Sequence, residues 1–146
     1  MTNQEILKIA MDQSAIDLSC KASDFEKSEN LIVISRDNER ARRYLKLPFS
    51  CQLVSYGNNI VASVSPEFCE MTEQYIGSYS MVDCFDTPTI HILNEALMQK
   101  GQKICFMAEY FLPDVNVLRE RDAEDVVPYE FRLLTQEDFA ELYLPE

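Results

Sequence analysis

The sequence has no tryptophan, one histidine, three glycines and six prolines among its 146 residues. So little glycine and proline excludes a low-complexity or linker-like chain. The scarcity of histidine disfavours a Ser–His or Cys–His nucleophile, which needs a neighbouring base, and no G-x-S-x-G sequence is present. The single histidine, His91, falls on the second turn of a predicted helix with no nearby partner, so a structural role is favoured.

Long apolar runs and paired cysteines are also missing. No stretch approaches the roughly 20 apolar residues that span a bilayer, and the N-terminus is not a basic start followed by an apolar run. The five cysteines are odd in number, widely spaced and without a C-x-x-C pair, which disfavours a disulfide framework and a zinc site. They predict free thiols in a reducing cytoplasm: Cys20, Cys51, Cys69, Cys84 and Cys105.

Basic residues are few, with 13 Lys and Arg against 25 Asp and Glu and a net charge of −12. A field of this sign repels phosphate backbones and anionic membrane surfaces, so neither nucleic acid nor membrane is an expected partner. Acids such as Asp12, Asp17 and the run at 120–125 lack the glycine-centred spacing of a calcium loop, and a solvated acidic surface is favoured. One basic cluster is interpreted as a salt-bridged surface helix in preference to a phosphate site: Arg36, Arg40, Arg42, Arg43 and Lys46.

Hydrophobic patterns predict helices and one strand in the first part of the chain. Asn3 is a potential cap for a first helix, and a short second helix follows Ala22. The apolar face predicted for the first helix includes Ile6 and Ile9 and is widened by Leu7, Met11 and Leu18. Residues 31–34 are a continuous, largely β-branched run, which predicts a strand buried on both faces. Residues 37–45 predict a surface helix.

The clearest local prediction is a β-hairpin. Residues 51–56 and 60–64 flank a Gly-Asn-Asn turn, whose residues tolerate positive φ. Residues 104–112 are the strongest apolar stretch and predict a central strand that ends before Pro113.

Two further helices are predicted between the hairpin and that strand. Ser-Pro at 65–66 and Thr-Pro at 87–88 each resemble a cap followed by proline at the first helical position, and Gly77 and Gly101 are natural ends. The whole pattern predicts an α/β (α+β) fold with a mixed, largely antiparallel sheet flanked by helices.

The organisation into domains follows from composition. Residues 1–113 are predicted to form an N-terminal α/β domain, and residues 114–128 an acidic connector. Residues 129–146 predict one strand and one helix. Because a lone strand and helix cannot bury their apolar faces, we expect them to begin a further domain.

This terminal unit, Phe-Arg-Leu-Leu-Thr-Gln-Glu-Asp-Phe at 131–139, resembles the opening strand and first helix of GNAT-type N-acetyltransferases. Residues 17–20, 56–59 and 102–113 are similar to the N-terminal region of bacterial two-part GNAT proteins. The order of elements before residue 113 also resembles a GNAT core, so the first domain is expected to be a degenerate GNAT-like unit.

The resemblance implies an accessory or substrate-side domain of an N-acetyltransferase. The partner would be a catalytic GNAT domain in the same polypeptide. The cofactor of the parent protein would be acetyl-CoA, and the substrate would be an amine of unknown identity. The family holds the acyl-CoA pyrophosphate on a Q/R-x-x-G-x-G/A loop at a helix N-terminus. The best match, at 74–79, fails at Tyr79 and lies at a predicted helix end, so we expect no cofactor binding or activity from this chain alone.

No catalytic, cofactor-binding or metal residue is therefore assigned within the chain. Glu109, Tyr110 and Phe111, near the end of the predicted central strand, are the candidate substrate-facing residues, with an aromatic core edge as the alternative. A second function stays open, a non-catalytic binding or interaction module. In that case the C-terminal strand and helix would pack on the first domain or exchange with a second copy, giving a homodimer.

Overall fold

The computed structural model describes residues 1–42 and 48–118 of the chain. The chain divides into two compact units, Met1–Val115 and Asn116–Glu146. The first unit has three α-helices and a three-stranded mixed sheet, which confirms the predicted α+β class. The strand and helix predicted within 129–146, and most of the predicted connector, lie outside the described residues. No helix in the described ranges is long and apolar enough to cross a membrane.

Helix α1 spans Asn3–Leu18 and begins at a capping box formed by the preceding residue. The Thr2 hydroxyl accepts a hydrogen bond from the Glu5 amide at 3.2 Å, and the Glu5 carboxylate accepts one from the Thr2 amide at 2.7 Å. Both bonds satisfy amides that an unassisted helix start leaves without partners. The predicted cap, Asn3, is therefore wrong by one residue.

The buried face of α1 matches the predicted one at Met11 and Leu18 but not at Ile9. It consists of Met11, Ser14, Ala15, Asp17 and Leu18, whereas Ile9 is 57% exposed. Apolar residues occur on several sides of this helix, so spacing alone could not select the side that meets the sheet.

Strand β1 spans Leu31–Ile34, after a 3₁₀ turn at Ala22–Glu26. Strands β2 (Cys51–Ser55) and β3 (Ile60–Val64) form the predicted hairpin, with Gly57 at a φ of 100° in the turn. The strand order is β1-β3-β2, with β1 parallel and β2 antiparallel to β3. Strand β1 is only half-buried and lies at an edge of this sheet, so its predicted burial on both faces is wrong.

Strand β3 is the centre of the fold, because all five of its residues are buried. Val61 packs against Leu18 and Phe25 on the α1 side of the sheet. The alternate residues Ile60, Ala62 and Val64 belong to a separate cluster on the other side. The sheet therefore lies between two layers of helix.

The second helical layer contains α2 (Cys69–Ser78) and α3 (Thr89–Met98). Both helices predicted for this part of the chain are therefore confirmed. Tyr75, Leu93 and Leu97 from these helices are buried in the cluster. Helix α3 ends in a paired bond arrangement, in which the Gly101 amide donates to Met98 and the Gln102 amide to Leu97. Gly101 has a φ of 71°, a conformation that glycine adopts without strain.

Two further predictions are wrong in the described residues. Residues 37–42 form a turn and not the start of a helix; the rest of the helix predicted over 37–45 falls in the undescribed residues 43–47. Residues 104–112, predicted as a central strand, have no regular secondary structure. They have the composition of a strand but no sheet neighbour in the described chain, and a strand exists only through its pairing.

Candidate functional site

A run of exposed apolar side chains covers residues 104–112, hereafter the 104–112 segment. Five of its side chains are strongly exposed: Phe106 46%, Met107 59%, Tyr110 66%, Phe111 85% and Leu112 43%. Exposed aromatic side chains are common singly, but a contiguous run of this size marks an interaction surface.

Both ends of the 104–112 segment are tied to the first unit by asparagine side chains. At the beginning, the Ile104 amide donates to Asn94 Oδ1 of α3 at 2.9 Å. Beyond the end, Asn3 of α1 donates to Asp114 Oδ1 at 2.7 Å and accepts from the Val115 amide at 2.8 Å. The segment is therefore fixed at two points, while no hydrogen bond joins residues 105–113 to another described residue.

Two alternate side chains of the segment contact other parts of the first unit. Ile104 packs against the cluster formed by β3, α2 and α3. The Phe106 ring lies 5.7 Å from the Phe49 ring, in an edge-to-face arrangement. Because alternate residues of an extended chain share a face, the even-numbered side chains form the inward set near the start of the segment.

The predicted substrate-facing residues lie in the outer part of this segment. Glu109, Tyr110 and Phe111 are all exposed, and none of them forms part of a buried core edge. A carboxylate beside two aromatic rings is thus presented to solvent on a chain whose ends are anchored. The sequence pointed to these three residues. It could not predict the hydrogen bonds from Asn3 and Asn94 that anchor the segment, because no local sequence pattern indicates them.

The other candidate positions are not brought together with this segment. His91 is exposed on α3, and Gln74–Tyr79 forms the end of α2 and the residue after it, so this match to the pyrophosphate loop lies at the helix C-terminus, as expected. The dipole there disfavours an anion.

The basic cluster contains a structural ion pair. The Arg42 guanidinium Nε donates to the buried carboxylate of Asp17, and the Arg42 amide donates to the same carboxylate at 2.9 Å. The neighbouring Asn38 side chain donates to the Ile16 carbonyl at 3.2 Å. These contacts fasten the 36–42 loop to the end of α1; Arg43 and Lys46 lie outside the described residues.

The cysteines are free, and burial suppresses the reactivity of three of them. Burial raises the pKa of the Cys20 thiol to about 11, with a further contribution from the charge of Asp24. Burial also raises the pKa of Cys51 and of Cys84. Since the thiolate is the nucleophile, these three thiols are poorly suited to catalysis.

No metal cluster emerges from the described part of the chain. No three His, Cys, Asp or Glu side chains of residues 1–42 and 48–118 are grouped to hold a metal ion. A shallow depression of about 290 Å³ lies at the end of α3, lined by Met98, Gly101, Gln102 and Lys103. It is open to solvent and adjoins the start of the 104–112 segment.

Comparison with known proteins assigns no family to the chain. No protein-family model matches it. Neither a curated protein nor a solved structure matches it.

Proposed function

We propose that the chain is the accessory, substrate-side domain of a GNAT-type N-acetyltransferase. In the parent protein, a catalytic domain would bind acetyl-CoA and transfer its acetyl group to an amine. The amine nitrogen attacks the thioester carbonyl, and the thiol of coenzyme A leaves. Two features support this proposal: the resemblance of residues 131–139 to the start of a GNAT domain, and the 104–112 segment described above.

The observation that carries the proposal is the exposure of Glu109, Tyr110 and Phe111. A carboxylate attracts a protonated amine, and aromatic faces contribute a further cation–π attraction of about 0.5–2 kcal/mol. A second domain placed over this segment would enclose these groups in a cleft, and sites at domain junctions are common. Five free thiols support a cytoplasmic location, where reducing conditions prevail.

The test compares two proteins by calorimetric titration with acetyl-CoA: the 146-residue chain and the product of a longer reading frame that contains it. Binding by the longer product alone is the expected result. In that product, Glu109→Gln should raise KM for the amine and leave acetyl-CoA affinity unchanged. Glu73→Gln, at an exposed carboxylate on α2, is the matched control. Absence of acetyl-CoA binding by the longer product would refute the proposal.

A second function, a non-catalytic interaction module, is favoured by the same exposed apolar segment. It requires only that a partner cover residues 104–112 and needs no cofactor. Failure of both proteins to bind acetyl-CoA, together with a stable complex through this segment, would establish it in place of the acetyltransferase assignment.

A further inference from the structure

We propose that the 104–112 segment is a dimerisation strand, which pairs antiparallel with the same segment of a second copy of the chain. The inference does not depend on acetyl transfer, although both proposals use the Glu109 carboxylate. Three observations carry it: an unpaired apolar run anchored at both ends, a division into inward and outward faces, and a self-complementary pair of charges.

Exposed apolar side chains lie within the part of the segment that would pair. Phe106 and Met107 are 46% and 59% exposed, and an antiparallel pair centred on Phe106 places each Phe106 beside its counterpart in the other copy. Pairing would also give partners to backbone groups of the segment, since residues 105–113 make no hydrogen bond to other described residues.

The two faces of the segment are already distinguished. Ile104 packs against the core and the Phe106 ring contacts Phe49, so a strand over residues 103–109 would place Ile104, Phe106 and Ala108 on the side that faces the rest of the chain. The odd-numbered side chains, which include Lys103 and Glu109, would share the opposite face. These two are the only charged residues between 102 and 113.

The charges select one register. In a two-fold antiparallel pair centred on Phe106, Lys103 of each copy lies opposite Glu109 of the other, and residues 103–109 pair over a length ordinary for a β-strand. Oppositely charged residues directly across two strands stabilise the pair, and symmetry makes this contact twice. The net charge of −12 opposes association, but salt at about 0.15 M screens it beyond about 8 Å.

The test is sedimentation equilibrium of the 146-residue chain over a wide concentration range at that salt. A reversible dimer is expected. Lys103→Glu and Glu109→Lys should each raise the dimer dissociation constant about tenfold, because two opposite-charge contacts become two like-charge contacts. The double variant K103E/E109K should return it to near the wild-type value. Arg36→Glu, at an exposed side chain in the loop after β1, is the control for net charge.

A chain that is monomeric at all concentrations would overturn the proposal. A dimer that is indifferent to both single substitutions, or one that the double substitution does not restore, would overturn it equally. Circular dichroism of each variant shows whether the fold is intact, which is expected because residues 103 and 109 are both exposed. Acetyl-CoA titration of the longer product is a separate measurement, so the two proposals can fail independently.

Discussion

Asp17 holds the 36–42 loop against α1. A double-mutant cycle measures the coupling free energy between Asp17 and Arg42. The Asp17 side chain has no exposed surface, whereas that of Arg42 is 26% exposed. The carboxylate accepts bonds from Gln13 Nε2 at 3.0 Å, from the Arg42 amide at 2.9 Å and from the Arg42 guanidinium. Three donors thus converge on one buried charge, in contrast to an ordinary surface ion pair.

Asp17→Ala is expected to lower the free energy of unfolding by about 3 kcal/mol. The substitution removes the acceptor of the charge-assisted hydrogen bonds and leaves their donors without this acceptor. Arg42→Ala is expected to cost about 2 kcal/mol, since the buried carboxylate keeps two neutral donors but loses its countercharge. The double variant should cost clearly less than the sum of the two, with a coupling of at least about 1.5 kcal/mol.

The assay is urea unfolding followed by circular dichroism, with the midpoint and slope determined for each variant. Asp12→Ala provides a matched control on the same helix, because Asp12 pairs with Lys8 but is 48% exposed. Its cost should stay below about 0.5 kcal/mol. Single-variant costs that add within about 0.5 kcal/mol would refute the account of a buried, coupled pair.

Three further results are expected. A hydrogen bond from Lys27 holds the pKa of Asp24 below its ordinary 3.8, so the stability it contributes is present above that value and is lost as pH falls through the lower folded value. Asp24→Asn should therefore flatten the acid side of the stability curve in urea titrations. Ellman's reagent at mildly alkaline pH should label exposed Cys105 much faster than buried Cys84; equal rates would contradict the described burial. Thr2→Ala should lower the free energy of unfolding by about 1 kcal/mol through loss of the capping box; an unchanged urea midpoint would contradict it.

The elements predictable from sequence are those whose signals are local. The hairpin follows from a turn in which Gly57 has positive φ, and the end of α3 from Gly101. The two asparagines of the turn do not adopt positive φ, in contrast to Gly57. Asn59 is only 1% exposed, and its amide donates to the carbonyls of Asp24 and Glu29, which lie about thirty residues earlier. Its conformational tolerance could be seen in the sequence, but its role as a buried brace could not.

Non-local contacts account for the remaining errors. The Asp17–Arg42 pair joins residues 25 positions apart, and no spacing rule connects them. Residues 31–34 and 104–112 are both apolar runs of strand composition, yet the first is an edge strand and the second is unpaired in the described chain. Composition reports that a segment can enter a sheet, whereas position in the sheet depends on which other backbone satisfies its amides and carbonyls.

The 104–112 segment is therefore a strand-forming sequence whose proposed partner lies outside its own sheet. A monomer with these side chains exposed would be prone to aggregation, because a flat apolar sheet edge pairs non-specifically with other chains. The segment contains no proline, and its only charged residue is Glu109, with Lys103 directly before it, so it lacks the usual protection of a sheet edge. Those two charges, Lys103 and Glu109, instead favour one specific pairing over many weak ones, which is how a sheet edge gains a single partner.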